Sequence, residues 1–180
     1  MNMTKKNSNT REMVMAALCL ALALLLPFLT GQIKEIGNML CPMHIPVLLC
    51  AFLCNWKWSG AVGLTAPLLR SSIWGMPPMG PIAIGMTFEL AAYGIIASVA
   101  YRRLPKKTWS IYAALIIAMI GGRIVWGVVS MFLYGAMNTP FTWQMFMAGA
   151  FINAIPGIII QIVLIPVIVI ALERAGVSKK

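Results

Sequence analysis

The sequence predicts an all-α membrane protein of six transmembrane helices with both termini in the cytoplasm. Three observations predict it. The chain has 180 residues, 61% of them hydrophobic, and a mean hydropathy of +0.88. One ordinary water-soluble domain cannot bury that much apolar surface, so the bilayer must act as part of the solvent. The apolar residues fall into six runs, and the cations gather at the ends of alternate runs, which sets an orientation.

The elements follow in order, as one membrane domain over residues 1–180. Residues 1–12, "MNMTKKNSNTRE", form a cytoplasmic head carrying Lys5, Lys6 and Arg11. With the apolar run behind it the head has the form of a signal peptide. Further apolar runs follow, and no small-residue cleavage site precedes a polar chain, so a retained helix is expected over 13–30. A short second helix is expected over 45–54 and a third over 59–74, the latter broken by Gly60, Gly63 and Pro67. Both fall short of the ~20 residues a straight span needs, and such segments are expected to set irregular backbone beside a cavity. Longer helices are expected over 82–101, 111–134 and 145–172. Threading them in alternation puts the head, Lys57, the Arg102/Arg103/Lys106/Lys107 group and the Arg174/Lys179/Lys180 tail on one side, which is the cytoplasm. The outer connectors are then 31–44, 75–81 and 135–144, charged only at Lys34 and Glu35.

Composition removes several functions. The net charge of +10 would suggest nucleic acid in a soluble chain, but membrane orientation accounts for these cations, so no nucleic-acid partner is expected. The four acidic residues are all Glu. With no Asp and no GxxxxGK[ST], paired-carboxylate catalysis, a Mg²⁺ site and a nucleotide site lack their residues. An intramembrane enzyme is poorly supplied as well, with one Glu in the spans and one His near the surface. A stand-alone facilitator would carry an inverted repeat, and none is detectable. Cys19, Cys41, Cys50 and Cys54 read as small core residues without the His or Asp neighbours of a metal site.

Three ionisable groups fall within the expected spans: Arg70, Glu89 and Arg123. Counted up from the cytoplasmic ends at ~1.5 Å per residue, all three come out at roughly 16–18 Å. A charge at that depth costs at least ~2.5–3.5 kcal/mol to insert, so the three should face one another or a wet cavity. Glu89 is expected to pair with Arg70 or with Arg123. One reading is a purely structural ion pair that pins helices together; the other, favoured because polar and aromatic side chains collect at the same level, namely Tyr93, Trp126, Ser130 and, in the sixth helix, Asn153, is that the charges border a ligand pocket open to the outside. His44, between two prolines in "CPMHIPVLL", reads as a cap of the short helix that can also serve as ligand or gate. The connectors "WGMPPMGP" and "MNTPFTWQMF" suit a lid, with Trp74 among the residues placed to stack on a ring. In the first helix, "MVMAALCLALALLLP", Ala17 and Ala21 stand four apart and permit close helix approach in lipid.

The run "PMHIPVLL", "PLLRSSIWGMPP" and "ELAAYG", together with the six helices and the Ala-x-x-x-Ala pair, resembles the substrate-binding S components of energy-coupling factor (ECF) transporters, nearest the pantothenate and α-ribazole branch. The resemblance implies a non-enzymatic subunit of the bacterial plasma membrane that binds a small vitamin or precursor with high affinity and needs no cofactor. It also implies a transmembrane coupling subunit and two ATPase subunits as partners, with Ala17 and Ala21 on the face against the coupling subunit. The binding candidates are His44, Arg70, Trp74, Glu89, Tyr93, Arg123, Trp126 and Asn153. An α-ribazole-like ligand is expected because aromatic residues crowd the outer half, with pantothenate as the alternative.

Overall fold

The computed structural model describes residues 3–30, 40–105 and 107–176, and its regular elements are all helical. In chain order they are α1 (Met3–Leu25), a 3-10 turn (Leu26–Thr30), α2 (His44–Leu53), α3 (Trp56–Trp74), α4 (Pro81–Arg103), α5 (Trp109–Ala136), α6 (Trp143–Ala150), a second 3-10 turn (Ile152–Ala154) and α7 (Ile155–Arg174). Lys34, Glu35, Lys106, Lys179 and Lys180 lie outside the described residues.

Four segments among the described residues are long and apolar enough to cross a membrane: Asn9–Phe28, Pro81–Arg103, Trp109–Ala136 and Trp143–Arg174. The expected second and third spans differ from these. At 10 residues, α2 is only ~15 Å long, yet its residues from Pro46 to Phe52 are buried, so protein rather than lipid surrounds it. The third segment is one continuous helix of 19 residues with Pro67 inside it, not a broken one. Its glycines serve helix contact. A Cβ added at Gly63 would lie 2.3 Å from the Leu90 carbonyl oxygen, and one added at Gly94 would lie 2.5 Å from that of Ser59, so α3 and α4 touch backbone to backbone.

Two further departures have local causes. Helix α1 begins at Met3, well before residue 13, because nothing from residue 3 to residue 25 breaks a helix. The last expected helix is divided. Pro156, at the start of α7, has no N–H to continue a ladder, and Phe151 takes φ −125° and ψ −61°, so the chain turns between α6 and α7. Asn153 sits in that turn rather than on a spanning helix.

One end of the bundle is tied by polar contacts. Arg11 donates to the Gly176 carbonyl at 3.5 Å, the Asn55 N–H donates to Glu12 at 3.1 Å, and Trp58 donates to Asn9 at 3.2 Å. Ser98 donates to the Cys54 carbonyl at 3.0 Å, and the Tyr101 hydroxyl donates to Glu173. Asn55 turns α2 into α3 with an extended backbone and accepts from the Lys57 and Trp58 N–H groups, which caps α3. These contacts bring the start of α1, the α2–α3 turn and the ends of α4 and α7 to the end that carries Lys57, Arg102, Arg103 and Arg174. Cys19, Cys50 and Cys54 belong to the buried core below the candidate site.

Helix α4 is the hub, packed on α2, α3 and α5. Gly63→Ala should therefore destabilise the protein by about 1–3 kcal/mol or more, since the added methyl meets backbone that cannot rotate away. A melting temperature in detergent equal to the parent's would show that α3 and α4 do not meet this closely.

Candidate functional site

Glu89 lies midway along α4 and is buried. Its Oε1 is 3.1 Å from Nη1 of Arg123 on α5 and 3.6 Å from Nε2 of His44 at the start of α2. Of the two arginines expected as partners, Arg123 takes the carboxylate. The geometry is stacked in layers along α4 and α5. One turn toward the opposite end from Tyr101, Trp126 rests on Gly85, where an added Cβ would be 3.3 Å from its indole nitrogen. One turn below Glu89, the Tyr93 ring packs on Gly122, where an added Cβ would be 2.8 Å away, and meets His44 edge-on with ring centroids 5.2 Å apart. Trp126 is a lid over the charges and Tyr93 a floor beneath them.

The layer is under-satisfied. Both ring nitrogens of His44, the Tyr93 hydroxyl and Nε of Arg123 are buried without a hydrogen-bond partner, and Oε1 of Glu89 has only its ionic contacts with Arg123 and His44. Buried polar atoms are nearly always paired, and orphaned ones raise the energy of the unliganded protein by a desolvation cost of about 1–3 kcal/mol each. Such a cluster has the donors and acceptors a polar ligand would complete. Cys41, in the connector before α2, lies within electrostatic reach of this layer; burial pushes its thiol up, Arg123 opposes that and Glu89 adds to it.

Aromatic rings continue outward from Trp126. It stacks with Phe146 at 6.1 Å and meets Phe141 edge-on at 5.9 Å, and Phe141 stacks with Tyr134 at 5.6 Å. The 143–151 stretch thus supplies an apolar wall from α6 against α5.

The other sequence candidates lie elsewhere. Arg70 is buried but donates to the Leu24 carbonyl at 2.8 Å, between the rings of Phe28 and Trp74 at 5.1 and 5.7 Å. Leu24 belongs to the last turn of α1, whose carbonyls have no helical partner, so Arg70 neutralises a helix C-terminus instead of Glu89. Trp74 stays with it, edge-on to Phe28 at 5.3 Å. Asn153 is exposed. Ala17 and Ala21 are exposed among the described residues while Ala16, Cys19 and Ala23 of the same helix are buried, so the Ala17/Ala21 face is the one α1 turns away from the described core. Sequence reasoning passed over Gln161 of α7, which is 1% exposed with neither amide atom partnered. Its signal was present as the one polar residue in "IPGIIIQIVLIPVIVIAL".

A family model described as "ECF transporter, substrate-specific component" matches residues 11–169. The chain belongs to that family. Comparison with curated proteins and with solved structures gives no match. As an ECF substrate-specific component, the protein is a substrate-binding transport subunit rather than an enzyme, a membrane protein that works with coupling and ATPase subunits. That membership accounts for a chain in which no nucleotide-binding motif is found: the ATPase subunits carry that chemistry.

Glu89→Gln should cost about 3–5 kcal/mol of stability, because it leaves the Arg123 guanidinium buried without its counter-charge. Glu89→Gln combined with Arg123→Gln should recover most of that loss. Additive losses in the double variant, read by thermal melting in detergent, would show that the two side chains do not form a pair.

Proposed function

We propose that this S component captures a small, neutral, ring-bearing vitamin precursor of the α-ribazole kind, in the space between the Glu89–Arg123–His44 layer and Trp126, and presents it to a coupling subunit across the Ala17/Ala21 face. The observation that carries the reading is the orphaned polar set of the buried layer, roofed by an indole. Glu89 and Arg123 cancel one another's charge, which favours a ligand without net charge. Ribose hydroxyls can donate to Glu89 and accept from Arg123 Nε, and a benzimidazole can stack on Trp126. Tyr93 and His44 supply the remaining donors and acceptors, whereas Arg70 and Trp74 brace the end of α1.

One observation favours pantothenate as the second reading. Arg123 Nε has no partner, and a guanidinium edge of that kind can donate to a ligand carboxylate. The site is closed to solvent, so capture requires the outer connectors to move; 75–81 bends at Gly75 and Gly80, whose φ values are 69° and 132°. The outer connector 31–44 lies mostly outside the described residues. With the basic end of the bundle in the cytoplasm, the site opens to the outside of a bacterial plasma membrane.

Calorimetric titration of the purified protein with α-ribazole and with pantothenate decides between the ligands. Saturable binding of α-ribazole at least 100-fold tighter than pantothenate is expected; the reverse order selects the second reading, and binding of neither rejects both. In vesicles holding the whole transporter, Ala17→Trp or Ala21→Trp should abolish ATP-dependent uptake while leaving titrated affinity within about 3-fold of the parent, since the bulk is added on the exposed face of α1, away from the described core. Loss of affinity along with uptake would place that face inside the subunit.

A further inference from the structure

We propose that Gln161 is a fourth wall of the substrate site, reading a group on the ligand that both donates and accepts a hydrogen bond. The inference rests on the proposed function of the Glu89 layer and adds a residue from a helix that contributes nothing to it so far.

The packing carries the first step. Helix α2 packs on α4, α4 on α5, α5 on α7 and α7 on α2, so these four helices close a ring. Three of them each send buried polar groups with unmet hydrogen-bonding capacity toward the ring: His44 from α2, Tyr93 and the ion-paired Glu89 from α4, and Nε of the ion-paired Arg123 from α5. The fourth sends Gln161. Its buried neighbours on α7, Gly157 one turn before and Ile165 one turn after, mark the face turned toward α2 and α5.

Two hydrogen bonds carry the second step, because they set the heights of the helices. The Tyr101 hydroxyl on Glu173 makes α4 and α7 level near the basic end. Both helices run toward that end. Glu89 precedes Tyr101 by 12 residues and Gln161 precedes Glu173 by 12, so each stands roughly 18 Å above the shared contact. The Ser98 hydroxyl on the Cys54 carbonyl makes α4 and α2 level in the same way. Glu89 is nine residues above Ser98 and His44 is ten above Cys54, roughly 14 and 15 Å. Gln161 therefore stands at the height of the Glu89–Arg123–His44 layer, on the remaining side of the ring.

Burial carries the third. A primary amide has two donors and an acceptor, and here both its atoms are buried without partners in a helix whose other side chains from residue 155 to residue 172 are apolar. Nothing among the described residues rewards an amide over a thioether of the same length at this position. A ligand hydroxyl or ring nitrogen does, and Gln161 can both donate to it and accept from it.

The test compares the full-length protein with Gln161→Met, and with Gln161→Leu should the first variant express poorly. Without ligand, the melting temperature should rise, since an unpaired buried amide has been replaced by an apolar group of similar shape. An unchanged or lower melting temperature means that the protein itself satisfies the amide and overturns the proposal. With α-ribazole as the probe, or with pantothenate if that alone binds the parent protein, affinity should fall 10-fold or more while Ala17→Trp, tested beside it, keeps parental affinity. A variant that melts higher yet binds as tightly as the parent also overturns it. If neither probe binds the parent protein, the ligand assignment fails by itself, and the ligand-free melting shift still decides whether Gln161 is held unsatisfied.

Discussion

The ion pair of Glu89 with Arg123 is the contact around which the bundle is organised. Two charges in the middle of a membrane protein are tolerable only when they face one another at hydrogen-bonding distance, and the 3.1 Å separation meets that demand. It commits α4 and α5 to one rotation and one height. His44, 3.6 Å from the same oxygen, adds the start of α2 to that commitment. The pair alone leaves buried donors and acceptors over.

Close approach of the helices makes the arrangement possible. Gly63 and Gly94 let α3 and α4 meet through their backbones, and Gly122 makes room for the Tyr93 ring beneath the charges. Where lipid rather than water surrounds a bundle, packing of this kind replaces the hydrophobic effect as the source of helix association. The basic end is then fastened by hydrogen bonds among residues distant in sequence, such as Arg11 with Gly176 and Ser98 with Cys54. The tied end and the polar layer with Trp126 one turn beyond it are thus set at different heights of the same bundle.

Much of this was legible in the sequence because charges in apolar runs are rare and their depths can be counted. That arithmetic brought Glu89 and Arg123 to one level, and Tyr93 and Trp126 followed from helical spacing. Arg70 passed the same count and still went elsewhere, because its partner is a main-chain carbonyl at the end of α1, which no side-chain pattern reveals. His44 read as a cap since only the packing of α2 on α4 brings it within 3.6 Å of Glu89, 45 residues away in sequence. The division of the last helix at Phe151 was marked by Pro156, but a long apolar run concealed it and carried Asn153 into the wrong element. Ala17 and Ala21 stood out as small residues, whereas their exposure depends on which side of α1 meets α2 and α3.

The most direct test of the account separates pairing from binding. The double variant Glu89→Gln/Arg123→Gln is titrated with whichever of α-ribazole or pantothenate binds the parent protein. Recovered melting temperature with binding weakened by about 2–5 kcal/mol is the predicted result, because the charges are gone but so are the groups that meet the substrate. Recovered melting temperature with parental affinity would contradict it, and would make the pair a structural tie and nothing more.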